Sequence, residues 1–240
     1  MPPNRAGSAA ALSHRSAAPS NGRAAGQNVV AGRAPMVIEI NPRSPEPRKI
    51  RRAADALRAG QLVAYPTDSC YGLGCDLFNK KAIDRLYQVK GMPKSHQLSF
   101  VCRDIASIAK YAMLHNYEYS IVKDYLPGPY CFILNATREV PRIVQTARKQ
   151  VGIRVPNHPV ALALVEELGG PMISSTAARP GAEPFVDPVE LDRDMPGIDL
   201  VLDGGPGGLE PTTVIDLTGD RPVIVREGAG DVTPFLDQRR

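Results

Sequence analysis

Five short segments of this 240-residue chain combine hydroxyls, cations and glycines in patterns suited to holding carboxylate or phosphate oxygens. The first is Pro66-Thr67-Asp68-Ser69-Cys70-Tyr71-Gly72-Leu73-Gly74. An apolar strand pattern stops at a proline and opens into a Gly-rich loop, where a rigid scaffold readily offers polar groups to a ligand. A polar turn, with Asp68 or Ser69 bonding nearby backbone, is the other reading. The second, Val89-Lys90-Gly91-Met92-Pro93-Lys94-Ser95-His96, sets lysines at a helix end, where they either offset the dipole or lie along a polyphosphate. The third, Gly152-Ile153-Arg154-Val155-Pro156-Asn157-His158-Pro159, embeds an arginine in an apolar strand. A buried guanidinium needs a partner: a bound carboxylate or phosphate gripped by its fork, or an internal carboxylate. His158 reads as a cap or packing residue. The fourth, Ile173-Ser174-Ser175-Thr176-Ala177-Ala178-Arg179-Pro180-Gly181, discharges an apolar strand into three hydroxyls. The fifth joins Pro211-Thr212-Thr213-Val214-Ile215-Asp216 to Val223-Ile224-Val225-Arg226-Glu227-Gly228, again strand, hydroxyls and one arginine.

Other chemistries lack their residues. There is no G-x-x-x-x-G-K-[ST] loop, and Gly72-Leu73-Gly74 lacks the third glycine of a dinucleotide fingerprint. No H-E-x-x-H or Cys/His cluster offers a transition-metal site, and no histidine accompanies a G-x-S-x-G elbow. Cys70, Cys75, Cys102 and Cys131 form no C-x-x-C pair and read as reduced, mostly buried thiols of a cytoplasmic protein. No apolar run approaches the roughly 18–20 residues that span a bilayer. Aromatics make up only 5% and Trp is absent, which argues against an aromatic single-strand binding platform. Of the 29 Lys and Arg, four (Arg5, Arg15, Arg23, Arg33) lie in residues 1–36, which hold no acid. The 25 that remain equal the 25 Asp and Glu, so the body has no overall basic field for wrapping nucleic acid.

The elements that would position these segments alternate in type. Residues 1–36 are expected to be a disordered tail or sequence upstream of a true start at Met36, and 37–240 one domain. Helices are expected over Pro45–Ala59, from the Asn79 cap onward, over 104–112 and 116–126, and over His158–Leu168. Strands are expected at Val37–Ile40, Leu62–Tyr65, Leu98–Cys102, Tyr130–Asn135, Val151–Val155, Met172–Ser174, Asp199–Leu202, Thr213–Leu217 and Val223–Val225. Interleaved strands and helices without a strict βαβ rhythm predict an α/β or α+β domain with a twisted mixed sheet.

In this order and spacing, the five segments resemble the YrdC/YciO family of threonylcarbamoyl-AMP synthases. The likeness runs from about Gly60 to Gly230. P-T-[DE]-[ST]-x-Y-G-L-G is its most specific part; G-I-R-V-P-x-H-P, the Pro127-Gly128-Pro129 turn, P-[ST]-T-V-[IV]-D and V-R-E-G support it. The details are closest to the YciO branch. The resemblance implies a twisted sheet flanked by helices around a large, positively lined concave cavity. It implies condensation of L-threonine, bicarbonate or CO2 and ATP, with Mg2+ brought by ATP, to threonylcarbamoyl-adenylate and pyrophosphate. The product serves t6A modification of tRNA, so tRNA, other RNA and t6A-transfer proteins are implied partners. It places Thr67, Arg154, Thr176 and Thr212 at threonine, and Lys90, Ser174 and Arg226 at ATP. No catalytic acid or base and no resident metal is assigned.

Departures from the family pattern carry weight. Met92 stands where K-x-R expects arginine, Ala178 where S-x-N expects asparagine, and Cys131 where Thr usually follows the P-G-P turn. The histidine expected after the Leu98–Val101 strand is replaced by Val101 or Cys102. One lost arginine–phosphate contact costs about 1.5–3 kcal/mol, roughly 10- to 100-fold in affinity. Lys94, Arg103 and Arg179 are the candidates to compensate. A synthase of reduced activity, a nucleotide- or RNA-binding paralogue, and a different acyl-adenylate or carbamoyl transfer all fit this pattern. Deleting residues 1–35 is expected to leave the melting temperature unchanged in a thermal scan; a drop of several degrees would refute the tail assignment.

Overall fold

Side chains alternate along each strand, and here both faces of the sheet are claimed. The computed structural model describes residues 35–145 and 148–236. The expected tail, residues 1–36, lies almost wholly outside them. In chain order the elements are β1 (Met36–Glu39), α1 (Pro47–Arg58), β2 (Val63–Tyr65), β3 (Gly72–Asp76), α2 (Lys80–Lys90), β4 (Ser99–Val101), α3 (Ile105–Tyr111), α4 (Asn116–Tyr125) and β5 (Tyr130–Asn135). There follow β6 (Gln150–Arg154), α5 (Pro159–Leu168), β7 (Met172–Thr176), α6 (Pro188–Asp194), β8 (Leu200–Asp203), β9 (Thr213–Asp216) and β10 (Val223–Arg226). Among the described residues these strands form one mixed sheet, ordered β1-β8-β2-β3-β7-β4-β6-β5-β9-β10. The expected fold class holds. No described helix is long and apolar enough to cross a membrane.

Helix ends follow local chemistry. Asn79 accepts from the Ala82 amide at 3.1 Å and caps α2, which ends at Gly91 in the left-handed region, φ 62°. His158 Nδ1 accepts from the Val160 amide at 3.3 Å, so His158 caps α5 as expected. Leu62, Ala64, Leu73, Phe100 and Ile173 point into the larger core with α2, α3 and α4. Val63, Tyr65, Val101, Met172 and Leu200 point the other way, against α1 and α5. Ser99 is two residues from Val101 and Ser174 two from Met172, so both share this second face. Cross-strand register then sets Ser174, Ser99, Gly152 and Ile133 in one row.

Two expectations need correction. Gly72-Leu73-Gly74 is not loop but strand β3, paired with β2 and β7. The reason is Tyr65, fully buried on β2, whose ring lies across β3. A Cβ at Gly72 would meet Tyr65 Cζ at 2.7 Å, and one at Gly74 would meet Cε1 at 3.1 Å. The glycines make room for a ring rather than bend the chain. The tyrosine hydroxyl emerges beyond β3 and bonds Ser174 Oγ at 2.6 Å. Helix α6, unforeseen, is a short turn capped by Asp187. Gly72→Ala should cost about 1–3 kcal/mol in urea unfolding by overpacking. Tyr65→Leu in the same chain should recover part of that loss; two additive losses would show that the ring is not the cause.

Candidate active site

The second face of the sheet is covered by α1 and α5 at one side only. Beyond Val101 it forms the floor of a cavity of about 530 Å3. Small residues on three adjacent strands, Ser99 on β4, Gly152 on β6 and Cys131 on β5, line the floor beside Val101 and Ile133. A Cβ at Gly152 would lie 3.2 Å from Cys131 Sγ, so a larger residue there would fill the hollow.

Arg154 ends β6 at the cavity wall. Its Nη2 donates to Asp68 Oδ1 at 2.5 Å, Ser69 Oγ at 2.8 Å and Thr67 Oγ1 at 2.9 Å. Both ion-pair partners are only 11% exposed. The Asp68 carboxylate also accepts from the Asn157 amide at 2.8 Å. The internal carboxylate is therefore the partner that Arg154 has. Removing one member of such a pair typically costs 3–5 kcal/mol, because the other charge stays buried. Arg154 Nε is buried and unbonded, and so is Nε2 of Gln97 in the same cavity wall.

Ser174, Thr176, Thr212 and Arg226 also line the cavity. Arg226 donates to the Thr212 carbonyl at 2.8 Å from Nη2 and 3.2 Å from Nε, and Nη2 reaches Thr212 Oγ1 at 3.2 Å. Gly228 permits this closure: a Cβ there would meet the Pro211 carbonyl oxygen at 2.1 Å. Thr67 does not line the cavity. It stands behind Arg154, its hydroxyl donating to the Cys70 carbonyl at 2.6 Å.

Lys90 departs from its expected place. It is 5% exposed, lies off the cavity lining, and its ammonium donates to the carbonyls of Thr176 at 2.5 Å and Ala178 at 2.7 Å. It ties the end of β7 to α2 instead of reaching solvent where a phosphate would sit. Burial pulls its pKa down to about 8. Met92 packs against the larger core. None of the three compensating candidates lines the cavity. Lys94 pairs with Asp84 at 2.5 Å, Arg103 with Asp104 and Glu166 at 3.1 and 3.2 Å, and Arg179 with the Asp194 carbonyl. Each already has a nearer acceptor on the surface.

Ser95, His96 and Ser175, which lie in the second and fourth segments without an assigned role, and Gln97, just outside the second, are also in the wall. The loop holding Ser95, His96 and Gln97 is anchored by the Tyr87 hydroxyl donating to the His96 carbonyl at 2.9 Å. Burial, then Lys90 and Arg226, hold the His96 imidazolium below its usual pKa. No carboxylate lines the cavity, and no group of three His, Cys, Asp or Glu among the described residues could hold a metal.

The profile of the Sua5/YciO/YrdC family, described as telomere recombination, matches residues 55–228. The chain belongs to the Sua5/YciO/YrdC family. The uncharacterized protein YciO of Escherichia coli (strain K12) is 45% identical over 201 residues, covering 82% of this chain and 97% of that one. Its crystal structure matches with a TM-score of 0.81 at 43% identity, over 84% of this chain and 100% of that one. The threonylcarbamoyl-AMP synthase of Halorhodospira halophila is 35% identical over 178 residues, 73% of this chain and 93% of that one. The crystal structure of P. abyssi Sua5 complexed with L-threonine matches with a TM-score of 0.75 at 31% identity, over 80% of this chain and 57% of that one. Threonylcarbamoyl-AMP synthases thus stand among the relatives that share this Sua5/YciO/YrdC domain.

Lys90 offers a test of its own. With a folded pKa near 8 against about 10.5 unfolded, the unfolded chain binds more protons between those values. Its contribution to stability therefore rises with pH across that window. Relative to Lys90→Met, the native chain should gain up to about 3 kcal/mol between pH 7.5 and 10.5, read from paired urea melts. A constant difference would place the lysine outside the buried site.

Proposed function

We propose that this protein is an L-threonylcarbamoyladenylate synthase, a nucleotidyltransferase using L-threonine, bicarbonate or CO2, and ATP. The observation that carries the reading is Arg154: a buried guanidinium, fixed by Thr67, Asp68 and Ser69 at the wall of a cavity of about 530 Å3, with an unbonded Nε. Ligand pockets of roughly 300–1,000 Å3 are usual for molecules of nucleotide size. A relative 31% identical in sequence was crystallised with L-threonine.

In this reading the guanidinium edge left free by Asp68 orients the threonine carboxylate, with the Thr176 and Thr212 hydroxyls beside it. Ser174 and Arg226 face the nucleotide. The threonine amine loses a proton and adds CO2 to give a carbamate. That proton leaves to solvent, since no side chain of the wall is assigned as its acceptor. A carbamate oxygen attacks the α-phosphorus of ATP, and the bond to the bridging oxygen breaks to release pyrophosphate. The wall contains no carboxylate, so its donor set fits Mg2+ arriving on the triphosphate as part of the substrate. Catalysis is then mainly alignment and exclusion of water around a labile adenylate. The product is one that a tRNA-modifying transfer protein would consume.

The test is pyrophosphate release with ATP, Mg2+, bicarbonate and L-threonine, each omitted in turn. Release that requires all four is expected. Arg226→Ala, on an exposed side chain, should lower kcat/KM for ATP about 10- to 100-fold. No release at saturating substrate would overturn the synthase reading and leave a nucleotide- or RNA-binding member of the family.

A further inference from the structure

The wall of the cavity is rich in hydroxyls and poor in charge. Six hydroxyl-bearing residues, Ser95, Ser99, Ser174, Ser175, Thr176 and Thr212, line it. Two formal cations accompany them, Arg154 and Arg226, among the described residues. Asp68 neutralises the first at 2.5 Å. The second meets only a carbonyl and a hydroxyl of Thr212 and keeps its full charge. Four further cations place no side chain in the wall: Lys90 is held on two backbone carbonyls and acts there only at a distance, on His96, and Lys94, Arg103 and Arg179 are bonded elsewhere. His96 lines the wall, where burial, Lys90 and Arg226 disfavour its imidazolium.

A nucleoside triphosphate without metal carries about four negative charges, a monophosphate about two. Each phosphoryl group bound in a cavity loses hydration that only charge-assisted bonds restore. One free guanidinium and a set of hydroxyls can restore that loss for one phosphoryl group. They have no counter-charge for two more. Arg154 Nε and Gln97 Nε2, buried and unbonded, add no further formal charge to this count.

We infer that the cavity is a single-phosphoryl site: it grips one phosphate of a nucleotide through Arg226 and the hydroxyls, and the β- and γ-phosphates of a triphosphate lie beyond its contacts. The adenine base rests on the function proposed above; the phosphate count rests on the cation inventory alone. The site thus favours an adenylate over ATP at equilibrium.

The experiment is calorimetric titration of the full chain with AMP, ADP and ATP, without threonine or bicarbonate, once in EDTA and once in Mg2+. AMP is expected to bind at least as tightly as ATP in EDTA, with parity at most in Mg2+, where the metal offsets two charges. Arg226→Ala should weaken AMP about tenfold or more. Ser95→Arg, an exposed wall position given a new cation, should improve ATP relative to AMP by about tenfold. ATP tighter than AMP by about threefold or more in either buffer overturns the inference. So does the absence of AMP binding at millimolar concentration, or AMP affinity unmoved by Arg226→Ala. Because turnover is not measured, this result is separate from pyrophosphate release: a chain that binds AMP in this order yet releases no pyrophosphate upholds the inference and refutes the synthase.

Discussion

The site depends on one buried guanidinium and its carboxylate. Arg154 ends β6, and Asp68 lies in the turn between β2 and β3. Between β3 and β6 the sheet inserts β7 and β4. The turn must therefore reach past two strands to deliver Thr67, Asp68 and Ser69 to one nitrogen of Arg154. That demand explains the run of short polar residues: long side chains could not converge on a single Nη2 at 2.5–2.9 Å. It also explains the coupling between the pair and the fold. A charge this deeply buried is tolerable only with its partner in place, so the sheet order that joins them is held by electrostatics as well as by apolar burial.

The cavity exists because the sheet is deliberately underfilled on one side. Close packing is the default of protein interiors. Here α1 and α5 close one part of the second face, and Tyr65 fills the groove over Gly72 and Gly74. Past that ring the small residues Ser99, Gly152 and Cys131 help leave the hollow, beside Val101 and Ile133. The Tyr65 hydroxyl bond to Ser174 fixes a wall hydroxyl from below. Packing on one half of the face thus orients polar groups on the other.

The electrostatics of this hollow are muted by the protein itself. Asp68 cancels Arg154, backbone carbonyls hold Lys90 off the wall, and burial, Lys90 and Arg226 disfavour the His96 imidazolium. What remains is a set of oriented hydroxyls and one guanidinium. Preorganised dipoles of this kind cost no reorganisation when charge develops, and they act more strongly where water is excluded. A site of this composition selects by geometry more than by field.

Local signals were sufficient for most elements. The Asn79 cap, the Gly91 stop and the 3.6-residue pattern of α2 lie within a dozen residues of one another, so neighbours in the chain decide them. The hydroxyl-bearing strand ends of Ser174, Thr176 and Thr212 and the strand arginines Arg154 and Arg226 were also legible, and all five line the cavity. What the chain alone left open was pairing at a distance. Arg154 needed some acidic partner; that it is Asp68, 86 residues away, follows only from the sheet order. Gly72-Leu73-Gly74 read as loop because glycines disfavour strands, until Tyr65 from the adjacent strand gave them a use. The residues alone left Lys90 open between the helix dipole and a polyphosphate, and only the family resemblance set it at ATP; the two carbonyls that capture it belong to the backbone, which every residue shares and no residue type announces.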